Sequence, residues 1–77
     1  MEAENMILSA YKYKYSSGHL CVNLDAETHF PAGYTVYIDG QRHDFPGTIQ
    51  GSDAARAYYY QQQQRAFELD NLIDTDE

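Results

Sequence analysis

The sequence is poor in several residue types, and each scarcity excludes something. There is one cysteine, Cys21, so no internal disulfide can form. Small secreted domains usually depend on such bridges, and a reducing, cytosolic setting is expected instead. Basic residues are few, five against twelve acidic ones, for a net charge of −7. Direct binding to nucleic acid needs Lys and Arg on the phosphates, so that role is disfavoured. No apolar run approaches the length that crosses a bilayer. The start, with Glu2 and Glu4, lacks the basic-then-apolar pattern of a secretory signal. Length is itself a scarcity: 77 residues make one domain at most, with a thin core and no second layer to close over a substrate cleft.

What is present reads as strands followed by one helix. Ile7, Ser9, Tyr11, Tyr13 and Tyr15 alternate with Lys12 and Lys14, the pattern of a half-buried strand. Residues 20–25 alternate again, with Leu20, Val22 and Leu24 on one side. A two-residue loop at Ser17-Gly18 would set Tyr15 opposite Leu20, Tyr13 opposite Val22 and Tyr11 opposite Leu24. That register gathers the apolar side chains on one face and is the one expected. Residues 26–33 carry Pro31 and Gly33 and read as a connection. Tyr34, Val36 and Ile38 alternate as a third strand. Asp39-Gly40 is a strong type I′ turn signal, returning into a short fourth strand over 41–45.

From Asp53 to Asn71 there is neither Gly nor Pro. Ser52 suits an N-cap, and the spacing predicts a helix over 52–72. Ala55, Tyr58, Tyr59, Gln62, Ala66, Leu69 and Ile73 form its expected core stripe. The fold class is thus α+β: a small antiparallel sheet of three to four strands, built from two hairpins, packed against one long C-terminal helix. Residues 1–77 form a single domain, with the sheet over 6–45 and an acidic tail over 73–77.

Reactive constellations are thin. His19 and Cys21 lie on one side of a strand and are both zinc-ligand types. A structural zinc wants four ligands in spaced pairs, and only His29 and His43 remain. A Cys21 thiolate would need a positive, orienting neighbourhood. Asp39 belongs to its turn and Asp53 to the helix start, so neither of them, with Asp44, argues for an acid–base pair. No cofactor, no metal and no enzymatic activity is expected.

Two features do point outward. Tyr60 and Phe67 fall seven residues apart on the helix, off the core stripe, and form a candidate contact pair unless a strand or loop covers them. Glu68, Asp70, Asp74, Asp76 and Glu77 follow with no basic residue after Arg65. Carboxylates there oppose the helix dipole, so helix stability does not explain them. Duplex DNA carries one charge per ~1.7 Å of axis, which a few carboxylates on a small face can imitate.

In length, charge, tyrosine content and the acidic stretch 70–77, the chain resembles the phage-encoded anti-CRISPR and DNA-mimicking anti-restriction proteins. The resemblance is one of general build. It implies a stoichiometric inhibitor in the cytoplasm of a host bacterium, occupying a basic surface of a CRISPR effector complex that would otherwise hold target DNA or guide RNA. The partner-binding residues would be Tyr60, Phe67, Glu68, Asp70, Asp74 and Asp76. The rival expectation is a small homodimeric interaction module whose charge serves solubility alone.

Overall fold

The structure, a computed structural model, describes residues 4–74, with side chains as far as Leu72. Five elements follow in chain order: β1 (Glu4–Lys12), β2 (Ser17–Leu24), β3 (Pro31–Ile38), β4 (Gln41–Pro46) and α1 (Ile49–Asp74). Each strand pairs antiparallel with its sequence neighbour, in the order β1-β2-β3-β4, and α1 packs across one face. This is the α+β fold expected from the patterning.

Asp39 and Gly40 have φ of 52° and 86°, the two consecutive positive values that a type I′ turn requires. Asp39 does more than turn. Its carboxylate accepts hydrogen bonds from the Ser16 hydroxyl (2.8 Å) and the Ser17 backbone N–H (3.0 Å), tying the β3–β4 turn to the β1–β2 turn.

The first hairpin departs from the expected register. Its turn spans residues 13–16, closed by the Tyr13 N–H on the Ser16 carbonyl (2.8 Å). Lys12 faces Ser17, Tyr11 faces Gly18 and Ser9 faces Leu20, instead of Tyr15 facing Leu20. The physical reason lies at Gly18. A Cβ there would come within 2.9 Å of both the Tyr11 ring and the Ile38 side chain. The glycine makes room for a tyrosine ring over the sheet and does not serve the turn. A bulge between Ile7 and Ser9 adds a second departure. It puts Ile7 opposite Cys21, on the other face from Ser9 and Tyr11. Tyr15, placed in the turn by the shifted register, is exposed.

Strand limits also shift. β3 begins at Pro31, so the last three residues of the expected connection are strand. Proline is tolerated at a strand's first residue because no ladder N–H is needed from it. The remaining loop is held by Asp25, whose side chain accepts from the N–H groups of Glu27 (2.8 Å) and Thr28 (3.2 Å). The helix starts earlier than Ser52. Thr48 is the cap, its hydroxyl accepting from the Gly51 N–H at 2.9 Å. The helix also runs on to Asp74, so part of the expected tail is helical; residues 75–77 lie outside the described span.

The core is one layer between sheet and helix. Tyr11, Leu20, Val36 and Ile38 meet Ala55, Tyr59 and Ala66, with Tyr13, Tyr34, Phe45 and Tyr58 around them. Tyr59 is fully buried, and its hydroxyl shares a 2.9 Å hydrogen bond with Ser9. Small residues at 51, 55 and 66 let the helix backbone approach the sheet, while Tyr59 fills the space between. Burying one side chain of that size contributes about 1.5–3 kcal/mol.

Candidate partner-binding surface

The surface follows from a mismatch of lengths. An eight-residue strand spans about 27 Å. A 26-residue helix spans about 39 Å. The helix starts beside Pro46 and runs toward the end of the sheet that carries the turns at 13–16 and 39–40. Its last turns therefore pass beyond the sheet. Leu69, expected in the core stripe, is 44% exposed because no strand lies beneath it, and Leu72 is exposed as well. Ile73, from the same stripe, has its side chain outside the described span.

Tyr60 and Phe67 are 57% and 44% exposed, so neither the fourth strand nor the 25–30 loop covers them. Seven residues apart, they differ by only about 20° around the helix. They lie on the flank toward β1: Phe67 packs on Tyr13 at 5.9 Å between ring centroids, and Tyr60 stands edge-on to Tyr59. Tyr58 leans the other way, onto His43 and Phe45 of β4.

The acidic candidates do not form a single strip. Glu68 is exposed, whereas Asp70 is half-buried. Two residues apart on a helix means about 160° between them, so they occupy opposite flanks. The Asp70 Oδ1 is out of water and has no hydrogen-bond partner among the described residues. Asp74 is helical with its side chain outside the described span, and Asp76 lies outside it altogether.

An open groove of about 330 Å³ joins the projecting helix to the turns, lined by Tyr15, Asp39, Arg65, Glu68 and Leu69 among others. Tyr15, Leu69 and Leu72 are therefore surface residues that pattern reading missed. For the two leucines the signal was arithmetic, since the helical pattern is longer than any strand available to cover it; Tyr15 is exposed because it falls in the turn.

The face of the sheet opposite the helix carries His19, Cys21 and Asp44 from the residues weighed for chemistry. Cys21 and Thr35 pair across β2 and β3 and are both buried, although among the described residues no second layer covers them. Neighbouring side chains close over them. Asn5 donates to Asn23 (2.6 Å), Asn23 to the Thr35 hydroxyl (3.0 Å) and Thr35 to Asp44 (2.9 Å). Arg42 completes the row by donating to the same Asp44 oxygen (2.9 Å). This row crosses all four strands. The Arg42 hydrogen bond first, then that of Thr35, holds the Asp44 carboxyl below its usual range.

His19 stacks on Tyr37 at 4.6 Å, and burial pushes the Cys21 thiol up. That is the wrong direction for a nucleophile at neutral pH. His43 sits 3.2 Å from the Tyr58 hydroxyl, on the helix side. Among the described residues no group of three His, Cys, Asp or Glu side chains is placed to hold a metal ion. Among the same residues no helix is long and apolar enough to cross a membrane. The chain matches no family model, no curated protein and no solved structure.

Proposed function

We propose that this chain is a non-enzymatic, stoichiometric inhibitor that works by docking on a basic protein surface. The favoured partner class is the nucleic-acid-binding groove of a CRISPR effector complex, met in the cytoplasm of a phage-infected bacterium. The observation that carries the reading is the projecting end of α1. It presents Phe67, Leu69 and Leu72 to solvent beside Glu68 and Asp70, in a chain of net charge −7.

The spread of the two carboxylates fits a groove better than a flat surface. A helix entering a channel meets basic walls on both sides, and Glu68 and Asp70 face both sides. Recognition of a helix in a groove commonly uses apolar anchors at helical spacing. Here Phe67 would anchor one flank, with Tyr60 behind it and Leu72 leading. Steering by the net charge would speed the encounter and make it salt-dependent.

The test is direct binding to a purified effector complex at about 50 mM and about 500 mM salt, where the Debye length shrinks several-fold. Binding should weaken steeply with salt. Charge reversal at Glu68, Asp70, Asp74 and Asp76 together should abolish it, and Tyr60→Ala with Phe67→Ala should speed dissociation. Undiminished binding by the charge-reversed chain at physiological salt would sink the proposal.

A further inference from the structure

The two edges of the sheet are built differently. β4 is a blunted edge: six residues, Arg42 and Asp44 among them, ending in Pro46. Such features discourage a further strand. β1 has neither shortness, proline nor mid-strand charge, and its one irregularity is the bulge between Ile7 and Ser9. It is nine residues long and has no proline, and its charges, Glu4 and Lys12, sit only at its two ends. Its middle is Met6, Ile7 and Leu8, exposed by 50%, 61% and 41%. Its outer side has no strand neighbour among the described residues. Backbone N–H and C=O groups along that side therefore lack sheet partners.

We propose that β1 is the site of a two-fold contact with a second copy of this chain, in which the two β1 strands pair antiparallel and join the sheets into one of eight strands. Three observations select a second copy. Antiparallel pairing sets Glu4 of each copy beside the Tyr11–Lys12 end of the other, so opposite charges meet at both ends of the joint. A parallel arrangement would set like beside like.

The bulge also fits. It moves the two halves of β1 onto opposite phases of the pleat, so a strand without a bulge can match only one half. Pairing with a copy that has the same bulge restores the phase. With Ile7 opposite Leu8 of the second copy, Met6 falls opposite Ser9 and Asn5 opposite Ala10. In each of these last two pairs both residues point to one face.

Finally, the size is adequate. An edge about 30 Å long, with side chains above and below it, buries on the order of 500 Å² per copy, about 1,000 Å² in all, the size of a weak, reversible interface. Dissociation in the micromolar range is the expectation. The two-fold contact uses each copy's β1 edge, and the other edge, β4, is blunted.

This contact is independent of the proposed inhibitory role, because it is read on the chain alone. Antiparallel joining sends the two projecting helix ends to opposite ends of the sheet, so both stay accessible. Sedimentation from about 1 to about 500 µM brackets a micromolar equilibrium. The wild-type chain should pass from one to two chain masses over that range.

The pair Ile7→Lys with Leu8→Lys sets like charges opposite one another at the joint, and should weaken association by about 100-fold. Both side chains are already solvent-exposed, so at the lowest concentration, where association is least, the circular dichroism spectrum and melting temperature should hold. Amide exchange supplies a second readout: outward β1 amides should slow with concentration in the wild type.

A wild-type monomer throughout the range overturns the proposal, whatever the variant does. So does assembly beyond two chains, which a closed two-fold forbids. β1 amides that slow only when an extended peptide is added would overturn it in favour of strand addition by another protein.

Discussion

At Gly51 the first turn of α1 has no room for a side chain. A Cβ at this position would overlap the Pro46 carbonyl oxygen, which is backbone and cannot swing away. Gly51→Ala should therefore cost at least about 2 kcal/mol, read as a lower urea midpoint. Gly40 makes the opposite case. The space around it is open, and its φ of +86° is the constraint. Gly40→Ala should cost only about 1 kcal/mol.

Two carboxylates shape the acid limb of stability. Asp25 is held low by the backbone N–H groups of Glu27 and Thr28, and Asp44 by Arg42 and then Thr35. A depressed folded pKa gives stability that is complete above the unfolded value, about 3.9 for Asp. It is lost as pH falls through the folded value. Melting temperature should accordingly drop below about pH 4, and Asp25→Asn together with Asp44→Asn should flatten that drop. Both groups are fully exposed, so the effect is one of direction and is reduced by salt.

Among the elements, α1 is the one whose ends explain most. Leu69 falls in the core stripe by spacing, yet it lies past the sheet, and Leu72 beyond it is exposed as well. Leu69→Ser with Leu72→Ser should shift unfolding free energy by less than about 1 kcal/mol, as ordinary surface changes do. A loss of several kcal/mol in a denaturant melt would mean that these leucines are covered.

Pattern reading recovered the elements because alternation and helical spacing are local properties. It recovered the Asp39-Gly40 turn because two positive φ values restrict residue choice strongly. It misplaced the first hairpin because the reason for Gly18 is a ring from another strand, and it missed the bulge because an extra residue leaves no compositional mark. The candidate pair Tyr60 and Phe67 was legible from helix geometry alone. The divergence of Glu68 and Asp70 was equally available from their spacing, but their shared charge suggested a strip.

For the whole molecule, one layer of core must support a sheet that is open on its other face. The row from Asn5 to Arg42 crosses that open face with side-chain hydrogen bonds where a second sheet or helix would otherwise pack. Such bonds contribute about 1 kcal/mol each when formed between neutral groups, and less where water competes. A joined pair of copies would add the missing breadth along β1. It would also present two helix ends at once, and a bivalent binder gains apparent affinity when both of its sites can engage together.

The strand order has a consequence in time. A sheet in which every strand pairs with its sequence neighbour is assembled from short loops, and such local closures are fast. The contact between Ser9 and Tyr59 spans fifty residues and ties the helix back to the first strand. Closing so long a loop is expected in the last stage of folding, after the hairpins. Tyr59→Phe removes that hydrogen bond and little else, at about 1 kcal/mol. In a stopped-flow chevron the refolding arm should stay where it is and the unfolding arm should rise about fivefold. A slowed refolding arm would instead place helix docking ahead of the hairpins, and the sheet would then form on the helix.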